Sequence, residues 1–237
     1  MRGDPKNVFR LSQSEHGPPE VPSETAGPHS RPVKPLDKSA PILKTRRILP
    51  HWSQDGCTYF VTFRLADSVA APLWKKWKEE RAAWLTKHPK PWDSDTQKDY
   101  NSKFPARMEL WMDAGYGSCA LQEPALRELV EKAIHHFDGQ HFTLGDYVLM
   151  PNHVHVLVTP HAGHPLAKIL TGWKRVSGHA ILSANGGAKP FWMEEDFDHA
   201  VRSERQLSHF QSYIEENPRK AKLRPGTWTH WKQPLDG

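Results

Sequence analysis

The stretch Tyr147–Val158, Tyr-Val-Leu-Met-Pro-Asn-His-Val-His-Val-Leu-Val, constrains this chain more than any other. Its apolar residues fall into two short blocks separated by Pro151-Asn152, a dipeptide that favours a tight turn, so a buried hairpin is expected. In the second block the side chains alternate. His153, His155 and Leu157 share one face, and Val154, Val156 and Val158 share the other. Alternate residues lie about 6–7 Å apart along a strand, which lets two imidazoles converge on one ion between them. For an arbitrary His-x-His pair, two partly buried histidines satisfied by backbone carbonyls is the simpler reading. A second motif near the C-terminal end shifts the balance.

A hairpin of this kind needs a core around it. The 237 residues, 37% of them hydrophobic, suffice for one sizeable domain with appendages or for two small ones. The excess of 32 basic over 27 acidic residues gives a net charge of +5, which favours polyanionic partners, nucleic acid above all, over acidic small molecules. Ten tryptophans are many for this length, and Trp can stack on bases as well as fill a core. The two cysteines, Cys57 and Cys119, form no Cys-x-x-Cys pair and suggest no disulfide framework. A reducing cytoplasm is the expected home. The N-terminus lacks the apolar core of a signal peptide, and no run is long enough to span a membrane.

Along the chain, residues 1–42 are rich in Pro, Gly, Ser and Glu and read as a disordered extension. Lys44, Arg46 and Arg47 follow as a basic linker. Thr58–Leu65 alternates as a strand. Ala71–Leu85 reads as a helix whose Leu73, Trp74, Trp77, Trp84 and Leu85 form a core stripe. His88–Phe104, polar and interrupted by proline, reads as loop. Leu121–Phe137 is a second amphipathic helix, with Pro124 in its first turn and Asp138-Gly139 at its end. A third helix opens at Pro165 and runs to about Leu182. Its polar side carries Lys168, Lys174, Arg175 and His179, either a phosphate-binding surface or a solvated face. Phe197–Arg202 reads as a short strand, in which His199 could contact DNA or pack.

The last helix is where the chemistry gathers. Ser203-Glu-Arg-Gln206 has the form of a capping box. Leu207, Phe210 and Ile214 form its apolar stripe, and His209, Tyr213 and Asn217 lie in a row along one edge of it at roughly 100° per residue. Pro218 disfavours helical geometry at Asn217 and suits the start of a new helix, so a break with Asn217 as N-cap is one reading and a ligand within the helix the other. Arg219, Lys220, Lys222 and Arg224 follow at once. Two neutral histidines and an amide or carboxylate oxygen make half a shell for Mg²⁺ or Mn²⁺, with the other positions left to water and a phosphate. A nearby phenol can attack phosphorus in line and form a phosphotyrosine. Zinc hydrolysis would ask for a third strong ligand and a carboxylate base, of which no convincing pair stands nearby.

Four segments carry a family resemblance. Pro-Asn-His153-Val-His155 resembles the His-hydrophobe-His metal motif of the HUH endonuclease superfamily. Tyr213-Ile-Glu-Glu-Asn-Pro-Arg-Lys-Ala221 resembles the catalytic segment of its single-tyrosine transposases. Trp111-Met-Asp-Ala-Gly-Tyr-Gly-Ser118 and Phe191-Trp-Met-Glu-Glu-Asp-Phe-Asp-His-Ala-Val-Arg202 are similar to segments of the REP-associated tyrosine transposases. The likeness spans roughly Ile42 to Arg224. It implies a ferredoxin-like or RRM-like α+β fold, an antiparallel sheet with helices packed on it and His153 and His155 on a central strand. It also implies Tyr213 as nucleophile, and His153, His155 and Asn217 as ligands of Mg²⁺ or Mn²⁺. The implied substrate is single-stranded DNA carrying palindromic hairpins, and the implied state a monomer or homodimer. Lys174, Arg175, Arg202, Arg219, Lys220 and Lys222 become candidates for DNA contact. The expected organisation is an extension over 1–42, a catalytic domain over 43–224 and a tail over 225–237. The competing reading is a regulatory protein that binds hairpins without cleaving them.

Overall fold

The computed structural model describes residues 56–186 and 190–234, together with the backbone of two short strands, β1 (Leu43–Arg46) and β2 (Pro50–Ser53), which pair antiparallel. The extension expected over 1–42 and the side chains of Lys44, Arg46 and Arg47 lie outside the described residues. The main sheet is built from β3 (Tyr59–Arg64), β4 (Phe142–Leu149), β5 (His153–Pro160), β6 (Phe197–Ala200) and β7 (Thr229–Trp231). Its spatial order is β6-β3-β5-β4-β7 and its pairings are antiparallel. Helices α4 (Pro124–His135) and α5 (Leu166–Asn185) make the connections from β3 to β4 and from β5 to β6. The order of β3 to β6 is that of a ferredoxin-like fold, as the resemblance implies. β7 extends the sheet into the segment expected to be a tail, pairing Tyr147 with Trp231.

The alternation that defines β3 and β5 sorts their side chains onto two sheet faces. One face carries Tyr59, Val61, Phe63, Val154, Val156 and Val158 against Val130 and Ile134 of α4 and Leu170, Trp173 and Ile181 of α5. A bulge between Leu144 and Tyr147 keeps both on this face. It needs a glycine at 145, since a Cβ there would lie 2.8 Å from that of Leu157. The opposite face carries Val148, Met150, Leu157 and Phe60 against Leu207, Phe210 and Ile214 of α6 (Glu204–Lys220). With both faces covered, the central strands read as nearly continuous apolar runs, and the two histidines are carried into the interior with them.

Two local expectations are corrected. The stretch taken as loop contains α2 (Ser94–Lys103), capped by Asp93, whose side chain accepts from the Thr96 amide at 2.7 Å. α2 buries no side chain fully, so hydrophobic periodicity was too weak to reveal it. With α1 (Ala71–Lys87) and α3 (Pro105–Asp113) it closes a satellite core of Trp74, Trp77, Trp84, Phe104, Met108 and Met112, with Trp92 and Tyr100 packed on it. The tryptophans of the stripe are thus core, with Leu85 packed on them, while Leu73, expected in the same stripe, is exposed. The second correction concerns Pro218, which does not break α6. It forfeits the bond to the Ile214 carbonyl, but only one turn from the helix end, where Leu223 N–H caps the Pro218 carbonyl at 2.9 Å.

Candidate functional site

The site begins with the imidazoles. His153 and His155 are 1% and 2% exposed, and their Nε2 atoms stand 3.0 Å apart. Each ring is oriented through its other nitrogen. The Nδ1–H of His153 donates to Asn152 Oδ1 at 2.8 Å, while Asn152 Nδ2 donates to the carbonyls of Met112 and Tyr116. The Nδ1 of His155 meets Thr62 Oγ1 at 2.7 Å across the β3–β5 ladder. A carboxamide oxygen only accepts, so His153 is held with its Nε2 lone pair free. A hydroxyl donates or accepts, so His155 can carry its proton on either nitrogen. With the proton on Nε2 it bonds to His153; with the proton on Nδ1 both lone pairs face one point. Burial, and then Arg64 nearby, hold His153 at a pKa of about 3, and burial and His153 hold His155 well below the usual imidazole range. Both rings are neutral at physiological pH, the form a cation binds.

Helix α6 brings Tyr213 to this pair. Its ring lies edge-on to His155 with centroids 5.1 Å apart and edge-on to Phe60 at 5.7 Å. The Lys220 ammonium sits over it at 5.5 Å. The phenol donates to Glu109 Oε1 at 2.6 Å. Burial, Glu109 and Asp113 push its pKa well above the ordinary value, and a hydrogen bond from Asn217 opposes them. Asn217, one turn on, is 1% exposed and its Oδ1 has no hydrogen-bond partner. An orphaned buried carbonyl oxygen is rare in folded proteins and marks a place for a missing partner. Its position inside α6 removes the N-cap reading, since the helix begins at Glu204 with Ser203 as cap.

The carboxylates were not anticipated. Glu109 and Asp113 are one turn apart on α3, and the buried Met108 and Met112 beside them anchor that helix in the satellite core. Paired acids at i and i+4 were the available signal, but nothing local ties them to a tyrosine a hundred residues later. Burial, and then the charge of Glu109, raise Asp113 to about 7, and Lys220 acts in the other direction. The unfolded carboxyl titrates near 3.8. Between those values the folded chain keeps a proton that the unfolded chain releases, so this group's contribution falls as pH rises from about 4 to 7. Asp113→Asn should therefore raise stability at pH 8, by on the order of 2–4 kcal/mol, and leave it nearly unchanged at pH 4. Denaturant melts at the two pH values check this; equal effects at both would place the cost elsewhere.

The candidate cations separate into two groups and one lone residue, Arg202. Lys220, Arg219 and Lys222 lie exposed at the end of α6, Lys220 over the Tyr213 ring. Lys222 adopts φ +54° as the chain leaves the helix. Lys174 and Arg175 are on α5, which covers the sheet face opposite the histidines. Lys174 is tied to Asp196 at 2.7 Å and to the carbonyls of Met193 and Glu194. These bonds hold it in place, and the α5 surface does not adjoin the imidazoles. Arg202 is exposed just beyond β6, and His199 bonds Gln206 at 2.8 Å.

The residues fit a divalent ion by their chemistry. Two ligands in adjacent positions of an octahedral shell at about 2.1 Å stand about 3.0 Å apart, the spacing of the two Nε2 atoms. Asn217 Oδ1, buried and without a hydrogen-bond partner, is an oxygen available to such an ion. Among the described residues no group of three or more His, Cys, Asp and Glu side chains is placed to hold a metal.

Comparison with known proteins gives three results. No curated protein matches the chain. A solved structure of a REP-associated tyrosine transposase bound to a REP hairpin aligns at 16% identity and a TM-score of 0.41, over 82% of this chain and 94% of that one. No described helix is long and apolar enough to cross a membrane. Residues 118–217 match the family model described as IS200-like transposase. By that match, the stretch that holds His153, His155, Tyr213 and Asn217 is recognised as IS200-like transposase sequence.

Proposed function

We propose that this protein nicks and rejoins single-stranded DNA beside palindromic hairpins, with Tyr213 as nucleophile and Mg²⁺ or Mn²⁺ held by His153, His155 and Asn217. The observation that carries the reading is the meeting of a C-terminal phenol with the imidazole pair, ring centroids 5.1 Å apart. Glu109 is 2.6 Å from the phenol oxygen and takes its proton. The oxygen forms a bond to phosphorus, the bond from phosphorus to the 3′-oxygen breaks, and that oxygen is protonated from water. The products are a 5′-phosphotyrosine and a 3′-hydroxyl, and attack by a 3′-hydroxyl on the adduct restores the phenol. A divalent ion at this site supplies positive charge to the phosphoryl oxygens. Lys220, over the Tyr213 ring, and Arg219 and Lys222 beyond it steer the strand towards the phenol.

The test is direct. Labelled hairpin oligonucleotides with randomised single-stranded flanks are incubated with the protein and Mn²⁺, then resolved under denaturing conditions. The expected result is an ion-dependent covalent protein–DNA band. If every hairpin yields none, cleavage is the wrong reading. Glu109→Gln should keep hairpin binding and slow adduct formation by roughly 10²–10³-fold; an unchanged rate would assign the proton to another group.

One observation favours a second reading. The imidazoles are shut from solvent, and α3, through Glu109 and the Asn152 bonds to Met112 and Tyr116, closes over them. A hairpin-binding regulator that does not cleave would keep this closure with DNA bound. A nuclease must move α3, so that DNA together with Mn²⁺ would raise hydrogen exchange in Pro105–Asp113.

A further inference from the structure

Arg64 stands outside the chemistry described so far. It is the last residue of β3 and the register partner of His153 on β5. It belongs to the alternate set Phe60, Thr62, Arg64, the set that includes the His155 partner Thr62, so it faces the same side of the sheet as the imidazoles. The side chain is 1% exposed. Its guanidinium lies over the Trp74 ring at 4.7 Å, and Nη1 donates to Ser68 Oγ at 3.0 Å. Ser68 is itself fixed by donating to the Leu65 carbonyl at 2.8 Å. The orientation is thus set, yet Nε and Nη2 have no partner.

Those two nitrogens are not an arbitrary pair. They form the side edge of the guanidinium, whose parallel N–H bonds match two oxygens of one carboxylate or phosphate. A buried guanidinium with that edge empty is costly, because burial removes water from the charge and nothing replaces it. Burial alone accounts for the lowering of Arg64 to about 10. Of the carboxyl groups around the site, Glu109 is engaged with Tyr213 and Glu80 with Arg107, while Asp113, whose Oδ1 has no partner, is pushed by burial towards its neutral form. A fold that keeps an oriented, empty cationic fork beside two paired histidines has an anion to place there.

We propose that Arg64 is the phosphate clamp of this site, its Nε–Nη2 edge receiving two oxygens of the DNA phosphate that Tyr213 attacks. That the anion is a DNA phosphate rests on the function proposed above; that the edge takes a phosphate does not. The clamp holds the phosphorus on the imidazole side of the sheet, so the phenol approaches from α6 opposite to it. The movement that uncovers His153 uncovers its register partner as well, which explains how a residue so buried meets a strand of DNA.

Two measurements test this, on the full chain and on Arg64→Gln and Arg64→Lys variants. The first uses no DNA. Thermal melts are recorded with and without inorganic phosphate. Without phosphate, Arg64→Gln should melt about 3 °C above the parent, because an uncompensated buried charge is gone; a residue needed for folding would shift the melt downward. Phosphate should raise the melting temperature of the parent and of Tyr213→Phe, and not that of Arg64→Gln. Arg64→Lys, which keeps the charge but not the fork, should show a reduced rise. An equal rise in the parent and in Arg64→Gln overturns the assignment.

The second measurement uses an oligonucleotide that the parent cleaves, made with either a phosphate or an uncharged methylphosphonate at the cleaved linkage. Binding is read on the Tyr213→Phe background, where no bond is cut. The parent background should prefer the phosphate form by roughly tenfold or more. Adding Arg64→Gln should erase the preference; an undiminished preference overturns the clamp. If the parent forms no adduct with any hairpin while the Arg64-dependent response to phosphate remains, the DNA reading fails and an anion site for another substrate stands in its place.

Discussion

Tyr213→Phe should bind hairpin DNA as the parent does and form no covalent adduct, a loss of more than about 10⁴-fold in the rate of bond cleavage. The substitution removes one oxygen and little else. The ring keeps its edge contacts with His155 and Phe60 and its place beneath Lys220. The lost hydrogen bond to Glu109 is worth about 1 kcal/mol in net stability, so the fold should survive and the melting temperature move by only a few degrees. Glu109 in the variant has no phenolic proton to accept, and no other tyrosine of α6 can replace Tyr213. The measurement is a denaturing gel of protein incubated with labelled hairpin DNA, beside a binding titration on the same preparation. A variant that still became linked to DNA would remove Tyr213 from the mechanism.

The second large effect is expected at the imidazoles. His153→Ala and His155→Ala should each abolish the rise in melting temperature caused by Mn²⁺, and should cut adduct formation by roughly 10²–10³-fold. Asn217→Ala should weaken both readouts less, because an amide oxygen is a poorer donor than a neutral imidazole. The pH dependence separates these histidines from ordinary ones. An imidazole near 6.5 loses its ligand form as pH falls through that value. His153 is lowered to about 3 and His155 lies well below 6.5, so the Mn²⁺ response should persist from pH 7.5 down to 5.5. The same lowering sets a sign for stability. Below 6.5 the unfolded chain takes up protons that the folded imidazoles refuse, so their contribution to stability falls with acid. A Mn²⁺ response that vanished near pH 6.5 would mean that the ion sits on exposed histidines instead. His155→Ala carries an additional cost, since that ring also stacks with Phe60 and meets Thr62; His153→Ala is the cleaner probe.

Much of this arrangement is legible in the sequence. The hairpin, the Trp-bearing α1, the amphipathic α4 and α5, and the Ser203 cap of α6 follow from periodicity and end signals and lie where they were expected. Where local signals were weak or in conflict, the reading failed. α2 carries Tyr100 as its one large apolar contact and is held by it and by the following Phe104, both packed on Trp84 of α1. Pro218 carries a strong helix-breaking preference, which yields here because Asn217 and Pro218 are both buried and the helix ends within a turn. Lys174 and Arg175 looked like a surface beside the histidines, but strand connectivity puts α5 on the other face of the sheet.

The sequence by itself determined which residues share a face: His153 with His155 on a strand, and His209 with Tyr213 on a helix, while Pro218 left open whether Asn217 continued that row. A period of two or of 3.6 is a property of neighbours in the chain. Only the tertiary structure decided that these two faces meet, that Thr62 and Asn152 orient the rings, that Glu109 holds the phenol, and that Arg64 keeps an empty fork beside His153. Those distances depend on strand register and on which helix covers which side of the sheet, and both are settled by the burial of apolar surface far along the chain from any one of these residues.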